Sequence, residues 1–416
     1  MTKPESLGLS SERLARIAPF LESRYLEPGK LPCAAVQVWR RGKLAYDVQL
    51  GLADRERGAA LKPDALFRIY SMTKPITSVA FMMLVEEGLA ALDDPVARHI
   101  PEWADLGVFA AGTPDAWVTT RPARPMQIVD LLRHTSGLTY GFQMQGSVDA
   151  AYRKLKVAED LRHGTLDEFI AKLATIPLVF SPGEAWNYSV STDVLGYLVG
   201  RISGIPFERF LQERIFAPLG MVDTGFTVPG DKAHRLTACY AAGTLGSKAV
   251  LAGPPKLQDD PATSPYLKPT GFHSGGGGLV STADDYMRFA RMLLNGGELD
   301  GARIIGPKTL ALMTANHLPD GKDLTQFATR SQFAEAAYAG VGFGLGFGVT
   351  IDQPRTLIPG SNGDFFWGGA ASTFFWVDPA EDLAVVFLTQ LLPSSAWPVR
   401  RELRTLVYAA LTECGR

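Results

Sequence analysis

A chain of 416 residues, 46% hydrophobic and 20% charged, has the composition of a soluble globular protein long enough for a large core and two lobes. Its 41 Lys and Arg balance 43 Asp and Glu, which removes the electrostatic case for a nucleic-acid or anionic-membrane partner. Cys33, Cys239 and Cys414 are odd in number and far apart, and read as free thiols of a reducing compartment. With no signal-peptide core and no apolar run of membrane length, a cytoplasmic location is expected.

In chain order, residues 9–26 place Leu14, Ile17, Phe20 and Leu21 on one helical face behind a capping Ser10 or Ser11, which predicts an amphipathic helix. Strands over 34–39 and 44–50 follow, joined by a tight turn through Arg41-Gly42-Lys43. The middle third predicts helices over 75–87, 126–132, 166–174, 193–202 and 206–215, separated by irregular stretches at 104–124 and 228–269. The last third returns to strands at 373–377 and 383–388 around the turn Asp378-Pro379-Ala380-Glu381-Asp382, then a helix over 398–411. Strands at both ends with helices between them predict one sheet built from the two termini and covered by terminal helices. The helical insert is a second lobe and the substrate cleft lies between them.

The segment Ser71-Met72-Thr73-Lys74 heads the apolar helix at 75–87. A serine and a lysine three residues apart share a helical face, where a neighbouring cation lowers the cost of forming an alkoxide. In Pro182-Gly183-Glu184-Ala185-Trp186-Asn187-Tyr188-Ser189-Val190, a loop before the helix at 193, Tyr188 can enter the cleft, where an adjacent ammonium favours its phenolate. Ser71, Lys74 and Tyr188 then share a proton network, and the sequence leaves open which of them takes the serine proton. Two glycine-rich runs compete for the oxyanion hole. Trp367-Gly368-Gly369-Ala370 leads into the strand at 373–377, and the assignment is the N–H of Ser71 with that of Ala370. His273-Ser274-Gly275-Gly276-Gly277-Gly278 precedes a helix start capped by Ser281 or Thr282, and reads as a turn between lobes.

Ser71-Met72-Thr73-Lys74, Tyr188-Ser189-Val190 and Trp367-Gly368-Gly369, in that order, resemble the family VIII carboxylesterases, esterases with the serine β-lactamase (class C) and penicillin-binding-protein fold. The segments 132–138, 218–221 and 274–282 resemble that family's framework, and the likeness runs from about residue 34 to 386. The resemblance implies an antiparallel sheet flanked by helices in a discontinuous α/β domain (1–70 and 275–416), with a mainly helical domain (71–274) inserted and the active site at their interface. It implies a cofactor-free serine carboxylesterase that acts on short-chain esters through an acyl-enzyme on Ser71. Substrate contacts fall to Trp367, Gly368, Gly369 and Tyr140, the last resembling a cleft residue of these esterases.

Two departures bear on the alternatives. Val190 stands where β-lactamases carry the Asn of Tyr-x-Asn, and Trp367-Gly368-Gly369 replaces Lys-Thr-Gly or His-Thr-Gly, so efficient β-lactam hydrolysis is not expected. A β-lactamase or D-alanyl carboxypeptidase remains one alternative, and an acyltransferase of the lovastatin-synthase kind the other. Phe142, Phe365 and Phe366 are candidates, with Trp367, for an apolar wall, although the phenylalanines read more simply as core. His134 reads as structural, no histidine or cysteine spacing suits a metal, and Gly342 to Gly348 fits an edge strand packed under the cleft rather than a nucleotide loop. No Gly-x-Ser-x-Gly elbow occurs, which argues against an α/β-hydrolase. The oligomeric state is not legible.

Overall fold

The computed structural model describes residues 2–158, 162–243, 254–329 and 339–415. An eight-stranded sheet organises it: β1 (Cys33–Arg40), β2 (Lys43–Asp54), β3 (Ala59–Ala60), β4 (Val341–Phe343), β5 (Gly348–Thr350), β6 (Phe365–Gly368), β7 (Phe374–Asp378) and β8 (Leu383–Leu388). The spatial order is β4-β5-β6-β7-β8-β1-β2-β3, antiparallel throughout. The two termini meet at its centre, where Ala35 pairs with Leu388 and Arg40 with Leu383. The β1–β2 turn is two residues, Arg41 and Gly42, both left-handed, the twist that suits a right-handed strand pair.

Both faces of this sheet are covered, and neighbouring residues of β7 show how. Phe375 packs against Tyr286 of one helix (ring centroids 5.0 Å apart), and Trp376 against Tyr408 of another (6.4 Å). Successive strand residues point to opposite faces, so the helices lie on opposite sides. They follow α1 (Thr73–Glu86) and α2 (Ser191–Ser203) in the chain, as α3 (Ala283–Leu294) and α4 (Val399–Ala409). β8 is accordingly buried along its whole length and reads as an unbroken apolar run. The N-cap of α3 is Thr282, which accepts from Asp285 N–H at 3.1 Å.

Several expectations shift in detail. The helix over 9–26 is broken into Ser11–Leu14, Ile17–Leu21 and a π turn, Glu22–Leu26. Pro19 has no N–H to give the carbonyl of residue 15, so the ladder is interrupted there. Within the irregular stretch 104–124 lies an antiparallel hairpin, Val108–Thr113 with Ala116–Thr120. It is largely exposed on both faces, which leaves it no apolar alternation to read. In 228–269 the strands Cys239–Ala241 and Lys256–Asp259 pair, and residues 244–253 lie outside the described residues. Gly342 to Gly348 runs from β4 through a turn to the first residue of β5, with β4 at the sheet edge.

The approach to Ser71 is fixed by a buried arginine. Arg68 pairs with Asp259 (2.6 Å) and donates to Thr237 O (2.6 Å) and Ser264 Oγ (3.0 Å). Gln390 accepts from Arg68 N–H and donates to its carbonyl. Phe67–Arg68 thus forms a two-residue ladder with Val280–Ser281, three residues before the nucleophile candidate. Phe375→Ala should lower the unfolding free energy by about 3–5 kcal/mol, the cost of a cavity at a fully buried aromatic. Urea unfolding of the two proteins measures it.

Candidate active site

Ser71 lies in a 3-10 turn, Tyr70–Met72, that runs into α1. Tyr70 takes φ = 43°, a left-handed conformation that a bulky residue adopts only when its surroundings hold it. The turn leaves Ser71 partly exposed, whereas every residue from Met72 to Leu84 is buried. The nucleophile candidate is therefore the partly exposed tip of a helix that is otherwise core.

Lys74 is only 2% exposed, and three groups surround its amine. Nζ lies 3.3 Å from Ser71 Oγ, 3.1 Å from Tyr140 Oη and 2.7 Å from the carbonyl of Gly276. Burial strips water from the ammonium and pulls the Lys74 pKa down to about 7, with the Asp193 carboxylate opposing the fall. An amine titrating there is half neutral at physiological pH and can accept a proton from a hydroxyl it touches.

Tyr188 is buried beside that amine, its ring centroid 4.5 Å from Lys74 Nζ. Its pKa is pushed up by burial, against which the Ser71 hydroxyl and the Trp367 indole act to lower it. The loop bearing it is stapled to the segment at 134–143. Asn187 N–H donates to His134 O (2.9 Å), Asn187 Nδ2 to Leu138 O (2.9 Å), and Gln143 Nε2 to Tyr188 O (3.0 Å). Rings close round the phenol: His134 at 5.0 Å, Tyr140 at 5.4 Å, Trp367 at 5.6 Å and Trp186 at 6.1 Å. His134, buried and near the Lys74 charge, is held well below its ordinary pKa and stays neutral; its Nδ1 meets Ser189 Oγ at 3.2 Å.

The run Trp367-Gly368-Gly369-Ala370 ends β6 beside the Ser71 turn. At Gly369 any Cβ would strike Ile69 O and Thr373 Oγ1, so only glycine permits this approach. The turn that follows uses Ser372 N–H to Gly369 O (3.1 Å) and Gly369 N–H to Thr373 O (2.9 Å), neither involving the Ala370 N–H. Arg400 of α4 holds the carbonyls of Gly369 (2.6 Å) and Thr373 (2.9 Å). The Ser71 N–H, in the first turn of a helical segment, lacks an intrahelical acceptor.

Of the apolar-wall candidates, Phe365 and Phe366 are core residues of β6, against Phe347 and Phe374. Phe142 is 49% exposed and stacked on Tyr140 at 4.6 Å. Phe343, which the sequence did not single out, packs against Trp367 at 5.2 Å. Two further participants were missed. The turn reading of the run at 274–278 omitted that its Gly276 carbonyl grips Lys74, and Asp193 was read only as a helix start. Ser274 Oγ and Gly276 N–H both donate to Asp193 Oδ1, at 2.5 and 2.9 Å. The sequence signal for Asp193 was a lone acid opening an apolar helix, set one turn after Tyr188. Among the described residues no cluster of three or more His, Cys, Asp or Glu could hold a metal ion.

An antiparallel sheet built from both termini, with the serine and lysine on an adjoining buried helix, defines a protein of the serine β-lactamase and penicillin-binding-protein fold. The chain belongs to the Beta-lactamase family, whose model matches residues 21–409, and is a serine hydrolase of it. It is 32% identical to Esterase EstB of Burkholderia gladioli over 417 residues, with 98% of each chain covered. It is 40% identical over 374 residues to an uncharacterized protein of Mycobacterium tuberculosis, with 88% of each covered. The solved structure of EstCE1, described as a hydrolase with promiscuous acyltransferase activity, superposes with a TM-score of 0.77 at 26% identity, covering 95% of this chain and 99% of that one. The resemblance to family VIII esterases is thereby borne out.

Tyr140→Phe removes one of the three groups on the Lys74 amine while keeping the ring stack. It should lower kcat/KM for p-nitrophenyl acetate by about tenfold, the worth of one hydrogen bond of about 1.4 kcal/mol. Steady-state kinetics and circular dichroism of the pure variant measure the loss and check the fold.

Proposed function

We propose that this protein is a cytoplasmic, cofactor-free serine carboxylesterase that hydrolyses short-chain carboxylic esters through an acyl-enzyme on Ser71. The observation that carries this reading is the Lys74 amine, buried, 3.3 Å from Ser71 Oγ and with its pKa drawn to about 7. In the reading, residues 1–70 and 275–416 form one unit, residues 71–274 the other, and the ester enters where they meet. Neutral Lys74 takes the Ser71 proton as Oγ bonds to the ester carbonyl carbon. The N–H groups of Ser71 and Ala370 receive the oxyanion. Tyr188, kept a neutral phenol by burial, protonates the leaving alkoxide as the carbon–oxygen bond breaks, and recovers its proton from the Lys74 ammonium. Water repeats the sequence on the acyl-enzyme and releases the acid. Trp367, Gly368, Gly369 and Tyr140 line the ester's seat, with Phe142 at its mouth.

Assigning the base to Lys74 rather than Tyr188 rests on the direction of the two shifts: burial favours the neutral form of both, and only a neutral amine accepts a proton. A second reading, transfer of the acyl group to an alcohol, draws on the description of EstCE1. Added 1-butanol competing with water should give butyl ester as the minor product, by chromatography.

Ser71→Ala should abolish p-nitrophenyl ester turnover with the fold intact, and a fluorophosphonate should add its mass to the wild type but not to the variant. Retained turnover would overturn the reading. The pH dependence follows from the sign of the Lys74 shift. The protonated amine is inactive, so kcat/KM should fall tenfold per unit below an acid limb near pH 7, with no such limb in residual Lys74→Ala activity. Chromogenic cephalosporin turnover should lie far below ester turnover, since Val190 and Trp367-Gly368-Gly369 offer a β-lactam neither amide nor cation.

A further inference from the structure

Asp193 is completely buried on the first turn of α2. One oxygen, Oδ1, takes both hydrogen bonds from the glycine-rich run, from Ser274 Oγ and from Gly276 N–H. The other, Oδ2, is buried and has no hydrogen-bond partner among the described residues. Gly276 then turns its own carbonyl onto Lys74 Nζ at 2.7 Å. One residue thus joins the carboxylate to the amine, its N–H on the first and its C=O on the second. A Cβ on Gly276 would lie 2.5 Å from Asp193 Oδ2, so any other residue there would displace the carboxylate.

We propose that Asp193 is a positioning residue for the reaction, anchoring Gly276 against Lys74 and holding a compensating negative charge behind the amine. The inference rests on Lys74 being the base, and it extends that reading to what keeps the base in place. The groups that face Lys74 are Ser71 on its own helical segment, Tyr140 and His134 from the segment at 134–143, Tyr188 from its loop, the Gly276 carbonyl, and Asp193 from α2. Of these His134 is neutral and the hydroxyls are uncharged, which leaves Asp193 as the formal charge opposing desolvation of the ammonium. Burial raises the Asp193 pKa above the ordinary carboxylate range, and Lys74, Ser274 and Gly276 act in return to lower it. The glycine run is therefore more than a turn. It transmits the position of α2 to the head of α1.

Asp193→Asn separates charge from shape: its amide oxygen still accepts from Ser274 and Gly276, while the charge is gone. Without that charge the ammonium is less favoured, so the Lys74 pKa must fall. The acid limb of kcat/KM should move to lower pH by about half to one unit. Ser274→Ala keeps the charge and loosens the anchor, and should lower kcat without moving the limb. A readout independent of catalysis is the Lys74 ε-carbon resonance in protein labelled with 13C-lysine, assigned by its loss in Lys74→Ala. Its midpoint should be lower in Asp193→Asn than in the wild type. Coincident wild-type and Asp193→Asn midpoints would overturn the proposal. Should Lys74→Ala instead keep full ester turnover, the base assignment fails, and the resonance still reports whether Asp193 sets the amine's charge.

Discussion

An amine without water is the constraint around which this molecule is arranged. Lys74 is buried on a helix whose other faces are core, and an isolated ammonium in such a place is costly. The chain meets that cost from four directions. A hydroxyl comes from the helix's own head, a phenol from the segment at 134–143, a carbonyl from the glycine run and a carboxylate from α2. The compensation is incomplete, and the incompleteness matters. A fully paired lysine would stay charged and inert, whereas this one sits near neutrality, poised to exchange a proton.

The same economy shapes the neighbouring loop. A tyrosine on a free loop would sample many positions, and catalysis depends on donors that are already in place. Here the residue before Tyr188 is tied by both its amide and its side chain, and the tyrosine's own carbonyl is held by Gln143. Aromatic rings fill the space round the phenol, and away from water a hydrogen bond to it gains strength. His134 belongs to this frame: neutral and hydrogen-bonded to Ser189, it supports the loop by its shape, in keeping with the structural role its sequence context suggested.

Much of this was legible in residue patterns and some of it was not. The strand at 383–388 was placed to the residue because an uninterrupted apolar run between turn signals has few alternatives. The helix at 73–86 and its Ser-x-x-Lys head were visible for a related reason, since a lysine amid dense apolar residues needs an explanation. Local patterns did not show which loop carbonyl that lysine meets. Gly276 and Asp193 are brought to it by packing between segments far apart in the chain, and such contacts leave no periodicity. Phe343 stands among alternate glycines, a pattern that marks close backbone packing and not the ring contact it makes with Trp367. The hairpin at 108–120 escaped notice because it buries too little to pattern its faces. The break in the first helix, by contrast, was written at Pro19.

The sheet's topology bears on how the protein comes into being. β1 finds β2 at once across a two-residue turn, but its other edge waits for β8, which follows nearly the whole of the intervening chain. During synthesis on a ribosome the nascent polypeptide carries an open, apolar strand edge until β8 emerges, the kind of edge that recruits unwanted partners. The turn that carries Ala370 and the helix that carries Arg400 are likewise made long after Ser71. A product cut before that turn and that helix would lack the frame that surrounds Ser71.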